Sequence, residues 1–483
     1  MGLRAPTIHS IQRKYYKALR TESHQSENEY HVHHVEKPML IIFTTLMFVF
    51  LLKDRNNKGP IFYLSVAWLI ASIPLIFFVM DFSYLRKDDW YHTYILCFYC
   101  MCYIFGYYFY EHKKQPIAGI NRISKSEIDK DFFSARHIAK YCWMIAATGT
   151  IFLIIDFSFL GGAGLDDLAT LRETYSSQSA SISRKVASIL TWGCLYCFAF
   201  SLYYMKRLKS LALFIYLAPI VGFFLVAVFS AGRQTAFQIL IFSILSFTTK
   251  NYQRVRTPRK EKKGIYIALV ISLVMIFYMG YVAGARNDAV VSADKVEVLS
   301  RLFDFEIAEW FVPILDTIGG GARTTLVEAL VYFSSPTALF ARFLDVNLQT
   351  HSFGAMTIPF IFRQIEPLTG MSVIGLLNDK MAMMNDAGVI GAGWTTAFSY
   401  YILDFGYIGA AFFVFLHGYY SSYTWRRAKI EQTFHTNLVS IILITSALYS
   451  PMLAASSDTN LLFLWLFCGI IIRWHKVRKA INA

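Results

Sequence analysis

The chain has 483 residues, of which 55% are hydrophobic and only 16% are charged, and its formal net charge is +14. An average soluble protein has about 45–50% apolar and about 25% charged residues, so this composition excludes an ordinary cytosolic, disordered or disulfide-rich secreted protein. The positive charge lies between apolar runs, most densely at 250–263, where seven basic residues accompany one glutamate. This distribution is typical of cytoplasmic loops in membrane proteins and argues against nucleic acid as a partner.

Apolar runs recur along the chain after a polar, basic segment at 1–37. A helix of about 20 residues crosses a hydrocarbon core of about 30 Å, and most of these runs approach that length. They lie near 38–52, 60–80, 91–110, 138–160, 186–205, 211–230, 234–249, 264–284, 394–424, 438–454 and 460–474. The sequence therefore predicts an all-α polytopic membrane protein with about 11 or 12 transmembrane helices.

The loops alternate in charge, which orients the predicted spans. Three loops, at 81–90, 161–185 and 285–392, are assigned to the external face, and the intervening basic loops to the cytoplasm. The basic segments are 111–137, 206–210, 250–263, 425–437 and 475–483. The same assignment puts the basic segment 1–37 outside, so the orientation of the N-terminus and the choice between 11 and 12 spans stay open.

Four parts follow from this organisation. Residues 1–37 form a polar basic segment, 38–284 hold transmembrane helices 1 to 8, and 285–392 form a large external loop. The last part, 393–483, holds three transmembrane helices and a cytoplasmic tail. We expect the long loop to be functional, because connections of this length in compact proteins usually are.

The external loop at 285–392 is predicted to be partly helical, with amphipathic or re-entrant segments. It carries twelve acids and seven bases. Apolar residues at helical spacing predict an amphipathic helix over 295–313 that ends at Pro313 and the glycines that follow it. The stretches 326–344 and 352–376 are apolar enough to dip into the membrane.

Arginine is the residue type that points to chemistry on the external face. Arg172 lies in the loop 161–185, Arg233 at the outer end of a predicted span, and Arg286 just past another. Together they could form a bidentate clamp for phosphate or pyrophosphate. The alternatives are an ordinary surface position for Arg172, a snorkelling end-cap for Arg233 and a salt bridge from Arg286 to Asp288.

The long loop also contains a candidate general base. His351 is its only histidine and lies between Arg342 and Arg363. Neighbouring positive charges favour a neutral imidazole, which can accept a proton from a substrate hydroxyl. Asp288 could do the same work. Asp404 lies inside an apolar run, where a carboxylate must be paired; it marks a cavity or orients an arginine, or else it caps a helix break beside Gly406.

Motifs for energy coupling and cofactors are absent from the sequence. The glycines at 319–321 are not followed by a Lys-Ser/Thr pair, and no nucleotide fold or metal-ligand motif is present. The seven cysteines all fall inside apolar runs, which favours buried thiols over zinc ligands or disulfides. The sequence thus predicts an activity without a cofactor, metal or soluble nucleotide.

Four short motifs accompany this layout. They are Ser230-Ala-Gly-Arg-Gln-Thr235, Thr395-Thr396 with Tyr400-Tyr401-Ile-Leu-Asp404-Phe-Gly406, Ser352-Phe-Gly354 before Thr357, and the loop from Gly161-Gly162 to Arg172. Together with the layout, these motifs resemble the Wzy-type oligosaccharide repeat-unit polymerases, to which the O-antigen ligases are related. The resemblance covers most of the chain in layout and only these stretches in sequence.

The resemblance implies a glycosyltransferase of lipopolysaccharide and polysaccharide biosynthesis in the bacterial inner membrane, with its active site facing the periplasm. A glycan on polyprenyl (undecaprenyl) pyrophosphate is the implied donor, and a second lipid-linked repeat unit the acceptor. Membrane lipids and a chain-length regulator protein are further implied partners. In this reading His351, Asp288 and Asp404 are the catalytic candidates. The pyrophosphate-binding candidates are Arg172, Arg233, Arg286, Arg342 and Arg363.

Two rival functions remain at this stage. An O-antigen ligase would differ only in its acceptor. A transporter of solutes or lipid-linked oligosaccharides would place polar residues and broken helices in the middle of the membrane.

Overall fold

The fold is described from a computed structural model. It covers residues 38–77, 79–82, 89–112, 125–159, 182–229, 233–250, 295–318, 320–345, 351–369, 375, 379, 382–384 and 395–481. The chain divides into two units, Met1–Pro38 and Met39–Ala483, and the residues described here, apart from Pro38, belong to the second. The predicted segment 1–37 and the predicted span at 264–284 lie outside the described residues.

The described chain is mostly helical, as the sequence predicts. Its α-helices are α1 Pro38–Asp54, α2 Pro60–Ile76, α3 Asp89–His112, α4 Lys125–Phe159, α5 Ile182–Leu190, α6 Trp192–Tyr204, α7 Ser210–Leu217, α8 Ile220–Phe229, α9 Arg233–Lys250, α10 Lys295–Phe303, α11 Val312–Ile318, α12 Gly320–Leu344, α13 Pro359–Thr369, α14 Ala397–Glu431, α15 Phe434–Tyr449 and α16 Thr459–Ile481. A 3₁₀ turn, Ala455–Ser457, precedes α16.

Within the described residues, four helices are long and apolar enough to cross a membrane. They are Tyr91–His112, Ser126–Phe157, Ile182–Tyr204 and Ala397–Glu431. Shorter apolar helices accompany them at Pro60–Ile76, Ser210–Leu225, Thr235–Ser246, Phe434–Tyr449 and Thr459–Trp474. The run predicted as one span at 211–230 is divided into α7 and α8 next to Pro219, whose missing N–H and fixed φ disfavour a continuous helix.

Helices α3 and α14 form the most extensive helix pair, and glycines explain their close approach. A Cβ atom at Gly106 would overlap the carbonyl oxygen of Phe415, and one at Gly418 would overlap that of Tyr103. Small residues of this kind let the backbones of membrane helices touch. Around this contact aromatic rings pack edge to face, as in the pair Tyr110 and Tyr419, whose centroids lie 5.0 Å apart.

One end of the helical bundle, called the basic end below, joins three loops of basic character. Arg207 donates to Asp129 at 2.6 Å, which connects the start of α4 to the α6–α7 turn. Asp131 accepts the backbone N–H of Phe434 at 3.0 Å. Lys429, near the end of α14, bonds Asn57 in the α1–α2 turn. Segments that the charge pattern assigns to one face therefore do lie together.

A small antiparallel sheet contradicts part of the prediction for the long loop. Strand β1, Met80–Phe82, pairs with β2, Phe305–Ile307. The predicted helix over 295–313 is therefore wrong in its second half. Helix α10 ends at Phe303, and Asp304 has a positive φ of 51°, which an α-helix does not tolerate.

The residues after β2 also depart from the prediction. Trp310, on the apolar face of the predicted helix, is 53% exposed. Pro313 does not end a helix; it lies in the first turn of α11, where its missing N–H costs nothing. The predicted membrane-dipping stretch at 326–344 is the greater part of α12, which packs on α2.

Candidate functional site

Helix α14 is broken at Gly406, at the end remote from the basic end. Gly406 has φ 69° and ψ 178°, a backbone conformation that only glycine adopts readily. A break of this kind deprives the preceding carbonyls of their helical N–H donors. Two of these carbonyls accept bonds from a neighbouring loop instead: Ser352 N–H donates to Leu403 O and Phe353 N–H to Asp404 O, both at 3.0 Å.

The Asp404 carboxylate fastens this loop to the broken helix. One oxygen, Oδ1, accepts from the Ser352 hydroxyl at 2.8 Å and from Met356 N–H at 3.0 Å. The other, Oδ2, accepts from Thr357 N–H at 2.7 Å and from the Thr357 hydroxyl. Asp404 is fully buried. We call residues 351–358, held by Asp404, the clamped loop.

These hydrogen bonds indicate that Asp404 positions the clamped loop. Each of its oxygens already accepts two hydrogen bonds, which fills the lone pairs of a carboxylate. Four bonds of this kind compensate the charge of a buried carboxylate. Of the interpretations open from the sequence, a paired residue beside the break at Gly406 matches the geometry. An arginine partner for it, the other interpretation, does not appear among its hydrogen bonds to described residues.

The clamped loop directs His351 outward, beside the helix break. His351 is exposed, whereas the next residue, Ser352, is buried. The imidazole lies against Gly406: a Cβ added there would be 3.0 Å from His351 Cε1 and 3.2 Å from Nε2. Phe353 is 74% exposed and has a positive φ of 47°, a strained conformation for a bulky residue. Two bonds to Asp404 and Leu403 thus hold a strained turn that presents an imidazole.

Several helix ends meet at this end of the bundle. The N–H of Ala397, which starts α14, donates to Ser450 O at 2.9 Å. Phe237, in the first turns of α9, stacks on Tyr449 with ring centroids 5.7 Å apart. Phe360 of α13 contacts Phe463 of α16 at 5.2 Å between centroids. The first turns of α9 and α14 therefore both contact residues 449–450, and the first turns of α13 and α16 contact each other.

The arginine candidates are only partly covered by the described residues. Arg363 is exposed on α13, directly after the clamped loop, and Arg342 is half-buried near the end of α12, where it has a polar or ring partner. Arg233 is the first residue of α9; its side chain is outside the described part of the chain. Arg172, Arg286 and Asp288 lie outside the described residues, so the predicted three-arginine clamp remains a prediction.

Asp404→Asn is expected to loosen the clamped loop. The amide nitrogen cannot accept the bonds now made to one carboxylate oxygen, and each buried donor left unpaired costs roughly 1–3 kcal/mol. Thermal unfolding in detergent and limited proteolysis at 351–358 measure the effect. Ser352→Ala, which removes one donor and leaves the carboxylate otherwise bonded, should have a smaller effect. An unchanged unfolding temperature and cleavage pattern in Asp404→Asn would contradict the clamp.

Gly406→Ala should destabilise the same region for a different reason. A methyl group at φ 69° is strained, at a cost of roughly 1–3 kcal/mol, and it also presses on the His351 ring. Gly469, in α16, provides the matched control, because nothing lies within 4 Å of a Cβ added there. Gly469→Ala should be neutral or stabilising by about 1 kcal/mol, since alanine is the better helix former. Equal unfolding temperatures for the two alanine variants would refute the strain.

Sequence reasoning identified His351 and Asp404 but not their connection. Ser352 and Thr357 were noted only as part of a resemblance; their hydroxyls prove to be donors to Asp404. A serine and a threonine five residues apart carry no pattern that predicts a distant acceptor. Comparison with known proteins adds nothing here: no family model, no curated protein and no solved structure matches the chain.

Proposed function

We propose that the chain is a membrane-embedded glycosyltransferase that polymerises polyprenyl-pyrophosphate-linked oligosaccharide repeat units on the periplasmic face of the bacterial inner membrane. One observation carries the proposal. Two motifs that resemble the polymerase family, 352–357 and 400–406, are separated in sequence and are hydrogen-bonded to each other, with an exposed histidine at their junction. The long apolar helices support the membrane location.

The reaction proposed is a direct displacement at the anomeric carbon of the donor. An acceptor hydroxyl oxygen forms the new C–O bond while the bond to polyprenyl pyrophosphate breaks. The hydroxyl proton passes to the imidazole of His351, which acts as the general base. Asp404 holds the loop that carries this imidazole, so its contribution is geometric.

Arginines are proposed to stabilise the leaving group without a metal. Pyrophosphate gains charge as it departs, and preorganised guanidinium groups stabilise that charge through bidentate hydrogen bonds. Arg233 and Arg363 belong to helices whose first turns lie at the same end of the bundle as His351. Arg172, Arg286 and Arg342 complete the proposed set. Membrane lipids and a chain-length regulator are its proposed partners.

A glycan-ladder gel from a strain lacking the gene tests this function. Loss of the ladder with a single repeat unit retained on lipid A supports the polymerase. Loss of all lipid-A-linked glycan would identify the related ligase instead. An unchanged ladder would refute both. Complementation with the wild-type gene provides the control for polar effects on neighbouring genes.

A transporter is the second candidate, because polar groups lie inside the helical bundle. Tyr103 and His417 are stacked edge to face with centroids 5.2 Å apart in the α3–α14 interface. Among the described residues His417 Nε2 has no hydrogen-bond partner, and both side chains line a small cavity with Ser446 and Ser450. Translocation of a lipid-linked repeat unit by reconstituted protein, without new glycosidic bonds, would favour this candidate.

The orientation gives a separate prediction. Residues 250–263 and 285–392 carry net charges of opposite sign, so they should face opposite sides of the membrane. Single cysteines are introduced in each segment of a variant lacking the seven native cysteines. A membrane-impermeant maleimide added outside should label 285–392 and spare 250–263. Labelling of both segments, or of 250–263 alone, would reject the orientation.

A further inference from the structure

A histidine–carboxylate pair lies at the same end of the bundle as His351. His92, near the start of α3, contacts Asp345, which directly follows α12, with 3.3 Å between Nε2 and Oδ1. His92 is only 8% exposed, whereas the Asp345 side chain is 71% exposed. The other nitrogen of His92, Nδ1, is buried and has no hydrogen-bond partner among the described residues. A buried imidazole thus supports an exposed carboxylate.

Helix α3, which carries His92, contacts α14 beside the helix break against which His351 lies. The carbonyl oxygen of Tyr407 accepts a bond from Tyr99, on α3, at 3.1 Å. Since the His351 ring lies on Gly406, His351 and the helix that carries His92 contact two consecutive residues of α14.

The chemistry of Asp345 favours a neutral ligand with several hydroxyl groups. Its negative charge repels phosphate, so it does not belong with the proposed arginine clamp. Stable cation binding needs several oxygen ligands, and the described residues contain no group of three His, Cys, Asp or Glu side chains that could hold a metal ion. A carboxylate accepts short, strong hydrogen bonds from hydroxyl groups, and Tyr407, which is 40% exposed, adds a partly accessible ring.

We propose that Asp345, held by His92, binds hydroxyl groups of the acceptor sugar and so presents its nucleophilic hydroxyl to His351. This inference rests on the proposed function. Asp345 is the binding residue, and His92 is a positioning residue that fixes one carboxylate oxygen. The assignment predicts an effect on acceptor binding, whereas the rate at saturating acceptor should remain nearly constant.

The test measures transfer by the purified full chain with the single-repeat lipid-linked unit as the varied acceptor and donor at saturation. Asp345→Asn should raise the acceptor KM about 10- to 100-fold, the loss expected for a hydrogen bond to a charged group, with kcat changed less than about threefold. His92→Phe should reproduce this change. His92→Gln, whose amide can still donate to Asp345, should recover part of the affinity.

Asp316→Asn is the matched control, because Asp316 is an exposed carboxylate on α11 that pairs with Arg323 at 3.1 Å. It should leave KM and kcat unchanged. Unfolding temperatures near the wild-type value establish that each variant is folded. A fall in kcat at constant KM, or no change in either constant for Asp345→Asn, would overturn the proposal.

Equilibrium binding separates a failure of this inference from a failure of the proposed function. If the wild-type chain transfers no glycan, the proposed function fails, and binding of the same single-repeat unit still tests Asp345. Weaker binding to Asp345→Asn than to the wild type and to Asp316→Asn would support the acceptor site. Equal binding to all three, or no binding to the wild type, would overturn it.

Discussion

Replacing His351 with alanine is expected to slow glycan transfer by roughly 10²–10⁴-fold, the contribution of a positioned general base. The acceptor hydroxyl must lose a proton as it attacks, and His351 is exposed beside the helix break where the proposed acceptor site lies. Because the side chain is exposed, the variant should remain folded and should still bind lipid-linked substrate. Single-turnover transfer, measured across pH, gives the rate.

Two comparisons make this result specific. His351→Gln keeps a hydrogen-bonding group but cannot accept the proton, so it should be equally slow. His112→Ala removes an exposed histidine at the far end of α3 and should have no effect. Full activity in His351→Ala would remove this histidine from the mechanism and leave Asp288 as the candidate base.

Arg233→Ala and Arg286→Ala are each expected to abolish polymer while the protein stays folded and inserted. Loss of a guanidinium from the proposed clamp leaves the charge on the departing pyrophosphate without compensation. The transfer rate should therefore fall about 10²–10³-fold for each preorganised donor that is lost. Lysine at either position should also be poor, because an ammonium group cannot make the two-pronged contact with phosphate oxygens. Chain length on a glycan gel and single-turnover rates provide the measurements.

An arginine outside the proposed clamp provides the control for the loss of a positive charge alone. Arg55 is exposed in the turn between α1 and α2, on the basic end, and Arg55→Ala should leave polymer length unchanged. Near wild-type chain length in both Arg233→Ala and Arg286→Ala would refute the clamp. In that case Arg233 would be better explained as an end-cap whose side chain reaches the membrane surface.

The sequence was informative where the signal was local. Apolar runs located the described helices of the bundle, because the residues that form one apolar helix are contiguous in the sequence. A carboxylate inside such a run, Asp404, was recognised as a residue that needs partners, since an unpaired charge there is costly. A helix break at Gly406, two residues further on, was one of the interpretations open from the sequence, and the helix is broken there.

Features that depend on distant partners were not predictable in this way. The pair of His92 and Asp345 joins residues 253 positions apart, and neither lies in a pattern that indicates the other. Likewise, Phe303 and Ile307 have the spacing of a helix face, but Ile307 lies in β2, whose pairing with β1 overrides that local preference. Tertiary hydrogen bonds decide such cases, and a single sequence does not encode them in its periodicity.

The pairing of β1 with β2 also has a consequence for biosynthesis. Met80 pairs with Ile307, so the first strand leaves the ribosome more than 200 residues before its partner. At synthesis rates of about 5–20 residues per second, this gap lasts on the order of 10 s or more. During that interval β1 has an open edge, and the ends of α2 and α12 are not yet joined through the sheet. Closure of this sheet is therefore a late step in assembly, and a chain truncated before residue 305 should insert its early helices yet lack this connection.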